Sequence, residues 1–428
     1  MTYSRAVWVS SVIGLTAIGP GCQFDETDTG TQILQAQVPG ETVSRWNQNG
    51  FAALTVGPDV RFQVRGMTMM HIAMHDAANA VRSKYESYAL APLEDAGADP
   101  ALAAAAAAHD VLVALRPTLT ATIDGWLAVD SARVDNDKRR ARSLQVGGMA
   151  AQAILALRAN DNCCNDTPYV PGTDPGDYQF TFPFSTFNFA YGTGWGNMVP
   201  FSLNSGDQFR GDGPPALSSA QYTADYNETK AYGSLTSTVR TPQQTYLAYF
   251  WVDGSAEIFS RMARNLIAEQ DADLWEAARG FAIAFIAGED GAIANFDGKY
   301  HFAFWRPITA IQAGDTDGNP DTVADAAWAP AALTPPTPDY PSTHATTCAA
   351  VAVALGEAFG DDVPVHATSS IVPGEVYWDN LTAAAEQCAE ARIWVGYHFR
   401  TAIEDGLTQG YSVGQWVVDN TGLDRLPD

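Results

Sequence analysis

The chain has 428 residues, 46% of them hydrophobic and 17% charged, with a formal net charge of -25. This composition excludes disorder for most of its length, and so acidic a surface repels nucleic acid and anionic membranes. Any local cluster of Lys and Arg therefore stands out.

Arg5 precedes an apolar run, Ala6 to Ile18, that is too short to span a bilayer. This is the pattern of an export signal, which implies a periplasmic or extracellular protein. Cys22 follows and opens an acidic stretch, so lipidation there would give a membrane anchor, although Gly19-Pro20-Gly21 is a poor lipoprotein processing site. Residues 1–40 read as signal and acidic tether, 41–240 as an N-terminal helical half, and 241–428 as a C-terminal helical half. Helical pattern begins at Phe51. Arg65 to Arg82 repeats apolar residues at helical spacing, and the alanine-rich run Ala101 to Leu115 and the stretch Asp135 to Ala159 continue the theme. His71 and His75 lie one helical turn apart beside Asp76. That spacing suits zinc, but no third ligand is evident, so core histidines are the expectation.

Residues 160–218 differ, being rich in Gly, Pro, Asn and aromatics. A loop of this length in a compact domain is unusual and often functional, so it reads either as a lid or wall over a pocket or as a surface connection packed by its own aromatics. Helical pattern resumes over Thr241 to Arg264 and Asp273 to Ala292. The Asp315-Thr-Asp317-Gly-Asn319-Pro-Asp321 segment resembles the start of a calcium loop, yet Ala326 stands where the bidentate Glu belongs, which favours a polar turn. Alternating strand patterns are few. The expected fold is all-α: a helical bundle or a pair of packed bundles with a long irregular loop region.

Three stretches carry the chemistry. In Lys299-Tyr-His-Phe-Ala-Phe-Trp-Arg306-Pro307 the two cations are seven residues apart, which on a helix points both the same way. They repel unless an anion sits between them, and Phe302, Phe304 and Trp305 would partly dry the site. In Tyr340-Pro341-Ser342-Thr343-His344 the sequence reads as a helix start, whose free N–H groups attract anions. In Arg392-Ile-Trp-Val-Gly-Tyr-His398 an unbroken helix would put Arg and His on different faces, and Gly396 allows a bend that reunites them.

Together the three stretches resemble the signature shared by vanadium-dependent haloperoxidases and type-2 phosphatidic acid phosphatases: Lys, six residues, Arg-Pro; then Pro-Ser-Gly-His; then Arg, five residues, His. The helix from His71 to Ala80 and the stretch Asp207 to Arg210 extend the likeness, which covers roughly residues 45 to 425. The resemblance implies that His398 bonds vanadium or, in a phosphatase, attacks phosphorus. Lys299, Arg306 and Arg392 would neutralise the oxyanion, Ser342 and the Thr343 amide would donate hydrogen bonds, and His344 would be the general acid–base. In a peroxidase Lys299 would also polarise peroxide.

Two positions depart from the pattern. Thr343 replaces the usual Gly, where a β-branched side chain restricts the backbone. Ala402 replaces an Asp that often orients the last His, with Glu404 or Asp405 as substitutes. Three functions follow: a vanadate-dependent haloperoxidase using hydrogen peroxide and halide; a cofactor-free acid phosphatase acting on small phosphate esters through a phosphohistidine; or a non-catalytic helical bundle. Chain length and the Phe304-Trp305-Arg306-Pro307 form favour the first. Cys348 and Cys388, each one turn from a site residue, read either as a disulfide or as two separate buried thiols, with the vicinal pair Cys163-Cys164 as a rival bridge.

Overall fold

A computed structural model describes residues 40–55 and 59–427. The expected export signal and the Cys22 anchor lie outside the described residues. The fold is all-α: thirteen α-helices and one two-stranded antiparallel hairpin among the described residues. The N-terminal helices are α1 (Glu41–Leu54), α2 (Val60–Val81), α3 (Pro100–Leu115), α4 (Thr120–Ser131) and α5 (Asp137–Leu157). α2 is buried along most of its length and packs on α3 and α5. Asp99 caps α3 by accepting from the Leu102 amide, with Pro100 at the first helical position, where its missing N–H costs nothing.

His71 and His75 are core residues. His71 stacks against both Phe281 and Phe285, with ring centroids 4.7 and 4.8 Å away, and His75 Nε2 meets the Glu86 carbonyl at 2.9 Å. Asp76 accepts the backbone amides of Tyr88, Ala89 and Leu90, fixing the chain that leaves α2. No group of His, Cys, Asp and Glu suited to a metal ion occurs among the described residues. The 315–321 segment is a polar turn in which Asp317 accepts from the Asn319 amide and the Thr322 hydroxyl.

Beyond α5 the chain runs without an α-helix to α6 (Ala220–Tyr232), broken only by two short 3-10 turns. This segment is a wall fastened to α9 (Leu274–Phe302). Asp290 on α9 accepts the amides of Phe201, Ser202 and Leu203, Trp195 Nε1 donates to Glu289 at 3.0 Å, and Arg210 forks onto Asp297 at 2.7 and 2.9 Å. The Tyr178 amide donates to the Ala303 carbonyl just past the end of α9. Cys163 and Cys164 form the disulfide, while Cys348 and Cys388 are buried free thiols, so the bridge is the vicinal rival and not the long-range pair.

The stretch 241–264 is two helices, α7 (Pro242–Phe250) and α8 (Ser255–Glu269), separated by a turn that carries Trp251 and Asp253. α9 is the long central helix and contacts α2, α11 (Thr343–Phe359) and α13 (Arg400–Asn420); α10 (Pro307–Gln312) is a short helix after it. The hairpin β1 (Val365–Thr368) and β2 (Glu375–Trp378) leads into α12 (Leu381–Trp394). α11 and α13 lie close because Gly406, Gly410 and Gly414 present bare backbone: a Cβ at those positions would sit 2.9, 2.2 and 2.8 Å from the carbonyls of Ser342, Thr346 and Ala350.

Glu289 is fully buried, and its Oε2 has no hydrogen-bond partner. Burial pushes its carboxyl up to about 8, against 4.5 for an ordinary glutamate. Between those values the unfolded chain sheds a proton that the folded chain keeps, so stability falls as pH rises through this window. Glu289→Gln keeps an acceptor for Trp195 and removes the titration. It is expected to leave the melting temperature little changed near pH 5 and to stabilise the protein by roughly 1–3 kcal/mol at pH 8. Parallel melting curves for the two proteins across pH 5–8 would contradict this.

Candidate anion site

The three motif stretches converge, but by a different local geometry from helical spacing. α9 carries Lys299 in its last turn and stops at Phe302, because Ala303 adopts a left-handed conformation (φ 45°). Arg306 is the extended residue just before α10, and Pro307 starts that helix rather than ending the previous one. Lys299 and Arg306 therefore reach the site from a helix end and a helix start. α11 begins where expected: Ser342 is its N-cap and His344 lies in its first turn. The amides of Thr343 and His344 have no intrahelical acceptor at such a start. α12 ends at Trp394, and Gly396 (φ 82°) turns the chain so that His398 faces back toward Arg392 before α13 begins. A Cβ at Gly396 would lie 2.6 Å from the Gly233 carbonyl oxygen, so the turn needs glycine for both torsion and space.

The side chains meet as a buried cationic cluster. Lys299, Arg306 and Arg392 are at most 1% exposed. Lys299 Nζ donates to the carbonyls of Pro338, Asp339 and Pro341 at 2.8, 3.0 and 2.6 Å. Arg306 donates to the Thr337 carbonyl and hydroxyl, to the Tyr397 carbonyl and, from Nη1, to His398 Nε2 at 3.1 Å. Arg392 Nη2 donates to the Trp251 carbonyl at 2.5 Å, and its buried Nε has no partner. Because the guanidinium can only donate, His398 Nε2 must be the bare nitrogen, and the ring proton belongs on Nδ1.

That Nδ1 faces Asp339 Oδ1 at 2.9 Å, off the line of a straight hydrogen bond. Asp339, fully buried, is the acid that adjoins the imidazole. Glu404 and Asp405, the substitutes proposed from sequence, do other things: Asp405 accepts from the Tyr340 hydroxyl at 2.6 Å, and Glu404 lies 4.0 Å from Arg400. Ala402, at the departed position, contributes its carbonyl, which accepts the Ser342 amide at 2.8 Å. Thr343 is accommodated within the helix and donates to Asn295 of α9 at 2.7 Å, tying the helix start to the central helix.

Electrostatics follow from burial with excess positive charge. Burial, reinforced by Arg306, holds the Lys299 ammonium well below its usual range, and Asp339 offsets part of this. Burial raises the Asp339 carboxyl to about 7 against the pull of Arg306 and Lys299. Burial and then Arg392 depress His344 to about 3, and burial with Arg306 and Lys299 depresses His398 strongly. Both imidazoles are neutral at physiological pH. His344 keeps some surface open to an adjoining cavity although protein surrounds it deeply, and its Nε2 lies 3.4 Å from the Asp253 carbonyl. The cavity is also lined by Arg306, Thr343, Arg392 and His398, whereas Lys299 and Ser342 stand behind that lining.

Asp339, Asn295, Thr337 and Tyr397 were not singled out from sequence. Asp339 alone had a signal, an acid three residues before Ser342 inside a proline-rich stretch that precedes the helix. The donor set suits a tetrahedral oxyanion: three buried cations against one carboxylate, a helix start, an unpartnered Arg392 Nε and a bare imidazole nitrogen.

Fold and site define an all-helical protein with a buried, histidine-centred anion cage. Residues 279–422 match the family described as the VCPO second helical-bundle domain. The vanadium chloroperoxidase of Curvularia inaequalis is 27% identical to the chain, over 50% of this chain and 42% of that protein, so the match spans less than half of that relative's length. Among solved structures, a bacterial vanadium-dependent iodoperoxidase superposes with a TM-score of 0.78 at 23% identity, covering 92% of this chain and 98% of that one. A bacterial vanadium-dependent chloroperoxidase in its holo form gives 0.67 at 17% identity, covering 86% and 93%. The chain is a relative of the vanadium-dependent haloperoxidases and shares their fold.

Gly396→Ala tests how the cage is assembled. It forces a side chain against the Gly233 carbonyl in a left-handed turn and is expected to destabilise the protein by about 1–3 kcal/mol. It is also expected to displace His398 from the cage. A denaturation midpoint at wild-type level would refute this account of the turn.

Proposed function

We propose that this protein is a haloperoxidase that oxidises halide with hydrogen peroxide at a vanadate held by His398. The observation that carries the reading is the bare His398 Nε2 set among three buried cations, in a chain whose relatives are vanadium haloperoxidases. Vanadate, when bound, supplies the Lewis acid that activates peroxide toward halide. The residues that would hold it are His398, Arg306, Arg392 and the start of α11 at Ser342 and Thr343. Lys299, whose three N–H bonds already go to carbonyls, contributes charge from behind the cage. His344 is neutral and opens onto the cavity, so it can accept a proton from peroxide at Nε2 or Nδ1 and return it to a leaving oxygen. Arg306 donates to Nε2 and so keeps it unprotonated, while Asp339 lies beside Nδ1.

The roles separate by mutation. His398→Ala is expected to abolish vanadate binding measured by calorimetry. His344→Ala is expected to retain vanadate affinity within a few-fold and to lose bromination by roughly 10²–10⁴-fold. Inorganic phosphate, a tetrahedral anion of similar charge, competes with vanadate for the apo-protein. Equal vanadate affinity in wild type and His398→Ala would sink the assignment. Hydrolysis of p-nitrophenyl phosphate without vanadate, in the absence of any vanadate-dependent bromination, would replace it with the phosphatase reading.

A further inference from the structure

Between α1, α8 and the hairpin lies a second cleft, of about 620 Å³, that shares no lining residue with the cavity beside the cage. Small organic ligands are usually held in ~300–1,000 Å³, so the cleft has room for one. All nine residues that line it are polar or charged. Glu41, Ser44, Arg45 and Gln48 recur at three- and four-residue steps and so share one side of α1; Arg261, Arg264 and Asn265 share one side of α8. Thr368 and Glu375 stand opposite each other in the register of β1 and β2. Two helices and a hairpin thus turn hydrophilic stripes toward one space.

Most charges around it are matched. Arg45 pairs with Asp130 and reaches Glu41 at 3.3 Å. Arg261 pairs with Asp253 at 2.7 Å, and Glu375 pairs with His366, whose other nitrogen meets Glu269 at 2.8 Å. Arg264 is the exception. Its Nη1 donates to the side-chain carbonyl of Asn47, and it has no carboxylate partner among the described residues. That bond uses one of the five guanidinium N–H groups. Burial, and then Arg261 one turn away, push Arg264 down to about 10, so it still carries its charge at neutral pH. Ser44 adds a hydroxyl that is shut off from solvent and has no hydrogen-bond partner, a loss that an occupant within reach of its rotation would recover.

We propose that this cleft binds a small polyhydroxylated monocarboxylate of the sugar-acid class, its carboxylate on Arg264 and its hydroxyls on the surrounding side chains. One uncompensated cation calls for one negative charge, and a guanidinium fork fits the two oxygens of a carboxylate. A phosphate dianion would bring a further charge into a cleft that already holds Glu41 and Glu375, on a chain of net charge -25. Those two carboxylates accept hydrogen bonds. Asn265 donates to the His366 carbonyl at 3.0 Å, which leaves its Oδ1 as a third acceptor, and Gln48 and Thr368 can both donate and accept. Such a wall complements a ring of hydroxyls and offers nothing to an apolar body. Binding here is independent of chemistry at the cage.

D-Glucuronate, D-glucose and cyclohexanecarboxylate are titrated separately, by calorimetry, into the full-length wild type and into Arg264→Gln, Gln48→Glu and Ser44→Ala, with inorganic phosphate present throughout to occupy the cage. Glucuronate is expected to bind the wild type. Glucose, which lacks the charge, and cyclohexanecarboxylate, which lacks the hydroxyls, are expected to bind at least about tenfold more weakly. Arg264→Gln keeps an amide for Asn47 and removes the charge, and is expected to weaken glucuronate at least about tenfold. Gln48→Glu, at an exposed position, cancels the surplus charge and is expected to do the same; it serves alone if Arg264→Gln does not fold by circular dichroism. Ser44→Ala is expected to weaken glucuronate by roughly 2–12-fold, the loss of one hydrogen bond. No glucuronate binding by the wild type, equal affinity for glucose or cyclohexanecarboxylate, or unaltered affinity in the folded charge variants overturns the proposal. Glucuronate binding that appears only once phosphate is withdrawn overturns it as well, since the ligand then sits in the cage or the cleft prefers phosphate.

Discussion

Three cationic side chains crowded in the dry centre of a helical protein repel one another, and the architecture around Lys299, Arg306 and Arg392 answers that constraint. Helix ends are spent on it. α9 stops after Lys299 and α12 after Arg392, so that free carbonyls face the charges, while α10, α11 and α13 begin at the cluster and add the positive ends of three helices to it. The carbonyls of Pro338, Asp339, Pro341, Thr337, Tyr397 and Trp251 accept from the cations, and one carboxylate, Asp339, lies among them. What remains is surplus positive potential, which together with burial keeps both histidines neutral and would favour an anion there. A buried anion would complete the balance at the same place where catalysis needs it.

Much of this was legible in the sequence, because residue identity at fixed spacing survives without knowledge of the fold. The bend at Gly396 and the helix start at Ser342 were readable from local backbone chemistry. The break between Lys299 and Arg306 was not, because it falls at Ala303, a residue with no preference for left-handed torsions, and because Pro307 reads equally as a helix stop or a first residue. Asp339 escaped notice because it acts across space from a segment without regular structure. α4 and α6 were missed because neither concentrates its apolar residues on one face: only Ile123 and Asp130 of α4 are buried. The cysteines show the same limit. Cys348 and Cys388 lie on neighbouring helices with their thiols in contact, yet both stay free and the bridge forms elsewhere.

Small residues repeat every four positions on both α9 and α13, with opposite results. On α13, Gly406, Gly410 and Gly414 let backbone rest on backbone, and the contact holds Ser342 in place through the Ala402 carbonyl. On α9, Ala284, Gly288 and Ala292 face the side chains of α11 and leave an elongated space. The same local composition closes one seam and opens another, because the opposing surface decides what a missing side chain leaves behind.

The wall formed by residues 160–218 has a further consequence. It is held to α9 and its end at a few places: Tyr178 at Ala303, Trp195 at Glu289, residues 201–203 at Asp290, and Arg210 at Asp297. Between such fastenings the chain is a series of short independent spans, each returning to the same rigid helix. Two of the spans also touch the surroundings of the cage, through the Tyr191 amide on the Pro336 carbonyl and the Gly176 carbonyl on the Trp305 amide. Length changes elsewhere in the segment are therefore expected to disturb the cluster less than changes at these two points.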